Sequence, residues 1–348
     1  MARRMRRHPL EDWADVFVDN GMLDMLLEGT LMPALETRVG IDDVTHLMHA
    51  ANIVFAHQLR KGTGQIVRVA AEVYDDVLAS KLDDDMAQDT PLPWKVFAIE
   101  MRRDGPWQAF VTTTWHNVDV ELMDALAALG CRDFETMLRY CTELTRVAKR
   151  VLPDEDGRDR SGEIPIMAPI PTTNRMKELA GHAADSVLSE AARTGRVLVD
   201  GGRALDRTDI LRRMPLIPLE LGWGLDKAAC PTRQEMLSLA MFVLSRNTTV
   251  RTTYEPNPKL KDNPKKRRSK ATIREVGFEW TEAYRAYQSA VKANKLGGHV
   301  RPHVRRGHYH RFRTGPRDAA EPTYVTHWIP PMLVGGEGKR SNSGHVIR

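Results

Sequence analysis

Residues 94–115 read WKVFAIEMRRDGPWQAFVTTTW, and this stretch decides the fold class. Two runs rich in β-branched and aromatic residues, Trp94–Met101 and Trp107–Trp115, flank Arg102-Arg103-Asp104-Gly105-Pro106. Aspartate–glycine between two such runs signals a hairpin, because glycine accepts the positive φ of a tight turn. The stretch therefore predicts two antiparallel strands. Trp94, Trp107 and Trp115 carry enough apolar area to pack that sheet against helices, and a groove-lining role is open to one of them.

Upstream the texture is helical. In Asp43–Lys61, Val44, Leu47, Met48, Ala51, Val54, Phe55 and Leu59 recur at three- and four-residue steps, and Ile66, Val69, Ala70, Val73, Val77 and Leu78 repeat the pattern. Both segments predict amphipathic helices. His46, His49 and His57 ride on the first. The i, i+3 pair His46 and His49 can share a ligand, but it belongs to no zinc pattern, so helix surface or core edge is the simpler assignment. The opening MARRMRRHP lacks the apolar stretch of a secretory leader and reads as a frayed basic arm.

Downstream, helices are expected at Val120–Leu129 and Phe134–Val151, the second with Met137, Leu138, Cys141, Leu144 and Val147 on one stripe. A polar loop covers 153–162. The proline-spaced run Ile164–Pro171 fits an edge strand or a polyproline passage. Thr173 or Asn174 can cap a helix at 175–193. Thr232–Glu235 is a capping box opening an apolar helix at 233–246. After the lysine- and proline-rich loop 256–270, Ile273–Trp280 reads as a strand and Thr281–Lys295 as a helix. Val304–Arg313 and Tyr324–Ile329 read as antiparallel strands. No β–α–β alternation with a glycine-rich turn is visible, and Gly62-Thr63-Gly64-Gln65 lacks the lysine of a phosphate loop. The fold class expected is α+β. Its mostly antiparallel sheet would join the 94–115 hairpin to the C-terminal strands, with covering helices. The division is a helical part at 1–90, a body at 91–335 with C-terminal strands at 303–330, and a disordered tail at 336–348.

The 348 residues suffice for one large core or two modest ones. Cys131, Cys141 and Cys230 form no C-x-x-C pair, which argues against thiolate zinc and a disulfide framework and suits a reducing cytoplasm. No apolar run is long enough to span a membrane. Charge is uneven. Pro258–Arg313 holds 16 lysines and arginines against 4 acidic residues, a net +12 in a chain of net +5, so the remainder is at −7. An acidic body with one basic segment suggests a face built for an anionic or acidic partner.

The densest part of that segment is Arg301–Gly315, RPHVRRGHYHRFRTG. On a strand, His303, Arg305, Tyr309, Arg311 and Arg313 share one face. Val304, Arg306, His308, His310 and Phe312 share the other. Three chemistries are open. RNA would use the cations, with Tyr309, Phe312 and Trp328 for stacking and Lys265–Arg268 for phosphates; a ribonuclease would also need an acid, a base and a phosphate stabiliser brought together. A metal-dependent hydrolase would draw on His308 and His310 at i, i+2, with His327 from the next strand. A peptide would use backbone pairing with arginine and aromatic anchors.

The run RPHVRRGHYH with the later Trp328-Ile329-Pro330 resembles the C-terminal signature of the second type V-A anti-CRISPR family, which acts against the type V-A CRISPR effector nuclease. Weaker similarity covers about residues 90–335, through Leu92-Pro93-Trp94, the proline run 164–172 and Thr253-Tyr254 after an apolar helix. The resemblance implies recognition of the effector's N-terminal polypeptide during translation and loss of its messenger RNA, with the ribosome or that message nearby. It implies no catalytic site and no cofactor or metal. Arg301, Pro302, His303, Arg305, Arg306, Gly307, His308, His310, Trp328 and Pro330 match the signature. With Tyr309 added, the binding candidates are Arg301, His303, Arg305, Arg306, His308, Tyr309, His310 and Trp328. Among the signature residues Gly307 can serve a bulge, and Trp328 can serve the core.

Overall fold

The computed structural model describes residues 7–19, 43–80, 92–101, 108–151, 165–170, 199–200, 203–204, 233–245, 250–256, 269–281, 303–305, 307–316, 323–330 and 332–334, with positions 189, 192, 193, 285 and 289. The turn at 102–106, Trp107, the loop 153–162, nearly all of the helices expected at 175–193 and 281–295, the centre of the basic loop and the tail 336–348 lie outside these residues. So do Arg301, Pro302 and Arg306.

In chain order the elements are α1 (Pro9–Asp19), α2 (Asp43–Lys61), β1 (Gln65–Val69), α3 (Ala71–Leu78), β2 (Val96–Met101), β3 (Gln108–Thr114), α4 (Trp115–Leu129), α5 (Phe134–Val151), β4 (Pro165–Ile170), the short pair β5 (Val199–Asp200) and β6 (Arg203–Ala204), α6 (Arg233–Leu244), β7 (Val250–Tyr254) and β8 (Thr272–Val276). Then follow β9 (His303–Arg305), β10 (His308–Thr314), β11 (Thr323–Ile329) and β12 (Met332–Val334). The class is α+β, with a central sheet in the order β4-β3-β2-β1-β8-β7.

The hairpin read in 94–115 is present as β2 and β3, antiparallel from Val96 opposite Thr113 to Met101 opposite Gln108. Trp115 does not end the second strand. It opens α4, where the Thr114 side chain accepts from the Asn117 N–H as an N-cap. The proline-spaced run forms β4 at the edge of the sheet, where a residue without an N–H is tolerated.

Three expectations are corrected. Residues 66–78 are not one helix: Gln65–Val69 is a strand in the middle of the sheet, parallel to both β2 and β8. A central strand is apolar on both sides, and its spacing there imitates a helical stripe. It follows that β1, α3 and β2 form a β–α–β arrangement, without a glycine-rich turn, and the sheet is mixed. Among the described residues the C-terminal strands do not join this sheet; they pair with one another. Finally, the N-terminal arm is anchored from Arg7 onward. Arg7 pairs with Asp15 and Asp12, and His8 is buried.

Both faces of the sheet are covered. Ile66, Ala98, Val111, Ala168 and Ile273 pack with α1, α2, α4 and α5. Val67, Phe97, Ile99, Phe110 and Val276 pack with α3, α6 and two residues of the C-terminal strands, Tyr309 and Trp328. The helix α6 is buried on nearly all sides, as its apolar sequence requires. On α5 the buried stripe is Met137, Tyr140, Leu144, Val147 and Ala148, while Leu138 is exposed and Cys141 half-buried. No helix among the described residues is long and apolar enough to cross a membrane.

Candidate functional site

The described part of the signature stretch pairs in two antiparallel ladders. His308 stands opposite Ile329 in β10–β11, and Arg305 stands opposite Met332 in β9–β12, three residues on from each. The register is unchanged across the interruption, so the period-2 division of side chains holds along the ribbon.

One face is built into the protein. Tyr309 and Trp328 are register partners and both are buried. The Tyr309 hydroxyl donates to Ser238 O of α6 at 2.6 Å, and burial pushes its ionisation well above the usual range. The Trp328 backbone N–H donates to Ser245 Oγ at 2.8 Å, just past the end of α6. Its indole stacks edge-on to Phe242 and Trp280, with centroids 4.9 and 5.0 Å away. Its Nε1–H donates to Ser80 Oγ at 3.1 Å, and Ser80 Oγ lies 2.7 Å from Asp76 O and 3.1 Å from Gly307 O. Gly307 lies flat on this indole: a Cβ there would sit 2.7 Å from Trp328 Cζ2. Glycine is required for close approach. Tyr309 and Trp328, named above as contact candidates, are therefore anchors. Each is worth on the order of 2–3 kcal/mol of buried surface, and neither is presented to a partner.

The opposite face is turned outward. On β10 it carries His308, His310 and Phe312; on β11 it carries Val325, His327 and Ile329, by register. His310 is exposed and the other five are partly exposed. The rings form a row: His310 lies edge-on to Phe312 at 4.4 Å, and Phe312 tilts against His327 at 5.2 Å. Phe312 thus stands against both imidazoles. Among the described residues no group of three His, Cys, Asp or Glu side chains is placed to hold a metal ion. Arg311 belongs to the inner face, where its guanidinium lies 4.3 Å from the Tyr324 ring centroid. Of the remaining candidates, His303 and Arg305 have only their backbones described. Arg301 and Arg306 lie outside the described residues.

Polar groups are also buried elsewhere in the fold, on β2 and α2. Glu100 is buried at the centre of the sheet. It accepts from Arg68 Nε at 2.5 Å and meets His8 Nε2 at 2.5 Å, while His8 Nδ1 accepts from the Leu10 N–H at 3.2 Å. Burial alone would raise the Glu100 carboxyl. The bonds and charges of His8 and Arg68 outweigh it and hold it below the ordinary range. The available signal was one acid inside the apolar run FAIEM and one arginine inside QIVRV; a buried charge requires such a partner. His46 and His49 are buried in α2, not on its surface. Burial, and then the neighbouring His46, lower the His49 pKa to about 3. These groups seat α1 and α2, and nothing among them presents a nucleophile.

Residues 67–336 match the model of the AcrVA2-like family, described as the anti-CRISPR type V subtype A2 family. No curated protein matches the chain.

Proposed function

The chain belongs to the AcrVA2-like anti-CRISPR family, and from that membership we propose that it recognises the N-terminal polypeptide of a target protein during its synthesis. Recognition lowers the target's messenger RNA and its production. The target is the type V-A CRISPR effector nuclease or another nascent protein, and the work is done in the cytoplasm.

The observation that supports this reading is the outward face of the ribbon. His308, His310, Phe312, Val325, His327 and Ile329 combine ring, aliphatic and imidazole surface. That mixture suits the alternating side chains of an extended peptide. RNA held through phosphates calls for cations, and none of these six residues is a lysine or arginine. The inner face locks the ribbon to α6, so little ordering cost falls on binding. The basic segment at 258–313 is compatible with work beside a ribosome and its message.

The test is a reporter carrying the effector's N-terminal codons, run beside a synonymous recoding that keeps the peptide and changes the RNA. Fluorescence and message should fall for both in the presence of this protein. His310→Ala and Phe312→Ala should abolish the effect, with His310→Ala shifting stability by less than about 0.5 kcal/mol. Silencing of the original RNA alone would favour an RNA-binding protein or ribonuclease instead. No response from either would remove this target.

A further inference from the structure

The outer surface of α5 carries an apolar pair that stands exposed among the described residues. Phe134 is 63 % exposed and Leu138 is 51 % exposed. They are spaced i, i+4, so they are neighbours on one side of the helix. The same helix has sorted charge. Asp133 and Glu135 stand at its start, and Arg146, Lys149 and Arg150 stand in its last turns, all exposed. This polarity complements the helix dipole. It also makes the helix self-complementary when a copy is turned end for end.

The centre of that complementarity is Thr142. It is exposed, and its hydroxyl turns back to donate to Leu138 O at 2.8 Å, leaving a small residue where two helices would approach most closely. Counting equal steps either side of Thr142, Leu138 falls opposite Arg146 of a second copy and Glu135 opposite Lys149. Both pairings are chemically matched: an arginine stem on leucine, and an ion pair. A two-fold axis supplies each pair twice.

We infer that the outer face of α5 is a self-association surface, pairing antiparallel with α5 of a second copy about an axis through Thr142. A wholly acidic or wholly basic partner would meet like charge at one end of the helix. A second copy meets opposite charge at both. The helix is about 27 Å long, so a single helix pair lies at the small end of specific interfaces. The dimer is accordingly weak and concentration-dependent.

Sedimentation velocity of the full chain, from low micromolar to a few hundred micromolar, reads the association. The expected result is a shift from monomer to dimer mass. Glu135→Lys and Lys149→Glu, taken singly, should each weaken it by about tenfold. The double variant Glu135→Lys/Lys149→Glu should recover it, because the swapped charges face each other again. Both positions are exposed, and thermal melting confirms that each variant is folded. A wild-type protein that stays monomeric throughout overturns the inference. So do single variants with unchanged association, or a double variant weaker than either single.

Discussion

Gly307 shows how little room the ribbon has. A methyl group there would press on Trp328 Cζ2 at 2.7 Å and Cε2 at 3.1 Å. The indole has nowhere to retreat, since it is fully buried between Ser80, Phe242 and Trp280. Overpacking of this kind costs about 1–3 kcal/mol. Gly307→Ala should therefore lower the unfolding free energy by that amount, read as a lower urea midpoint at an unchanged slope. An unchanged midpoint would mean that the ribbon does not lie on this indole. The cost falls on a residue that touches no partner, so loss of silencing in this variant would report seating rather than contact. His310, exposed on the other face, separates the two effects.

At the scale of elements, legibility followed burial geometry. The helix α2 and the strand β3 were readable because flanking signals and period agreed. The run 66–78 was not, because a strand buried on both faces loses its alternation; Ile66, Val69 and Val73 then fall at helical spacing by accident. On α5 the stripe was drawn through Leu138, whereas Tyr140 and Ala148 are the buried positions; a tyrosine and an alanine carry too little pattern weight to shift it. The ribbon's alternation was legible, but its seat was not. Ser80, Ser238 and Ser245 are ordinary serines far apart in the chain, and only pairing across the fold brings them to Gly307, Tyr309 and Trp328. The helix α2 also sets an acid limit. His49 has its pKa lowered to about 3 against an ordinary 6.5, so between those values the unfolded chain binds the extra proton. Stability is full above about pH 6.5 and declines toward pH 3, by up to about 1.4 kcal/mol per pH unit. Glu100, held below 4.5, adds a loss of the same sign only below that value. Denaturation curves of His49→Leu should thus be flatter than wild type between about pH 6.5 and pH 3, and converge in slope only below about pH 3. Parallel curves throughout would remove His49 from the acid response.

At the scale of the whole molecule, the family match begins at residue 67, but the fold does not. Leu10, Trp13 and Ala14 of α1, and Leu47, Ile53, Val54 and Phe55 of α2, belong to the same core as Ala98, Val111, Ile166 and Ile273 of the sheet. His8 reaches Glu100 on β2, and Glu11 accepts from the Lys270 N–H at 2.6 Å beside β8. These are ties between the first residues described and the strands that the family match does cover. A chain starting at Val67 would lose α1, α2 and the first residues of β1. It would leave one face of a central sheet open to water, and would leave Glu100 with Arg68 but without His8. The apolar burial lost with α1 and α2 is large against the whole stability of a domain, about 5–15 kcal/mol. The 67–348 fragment is therefore expected to show no cooperative thermal transition and to aggregate, while the full chain melts in one step. A fragment that melts cooperatively would show that the first 66 residues are an accessory layer, and the family match would then coincide with an independent folding unit. If the fragment fails as expected, loss of silencing by N-terminal deletions cannot be assigned to recognition, and the contact residues must be tested by exposed substitutions in the ribbon.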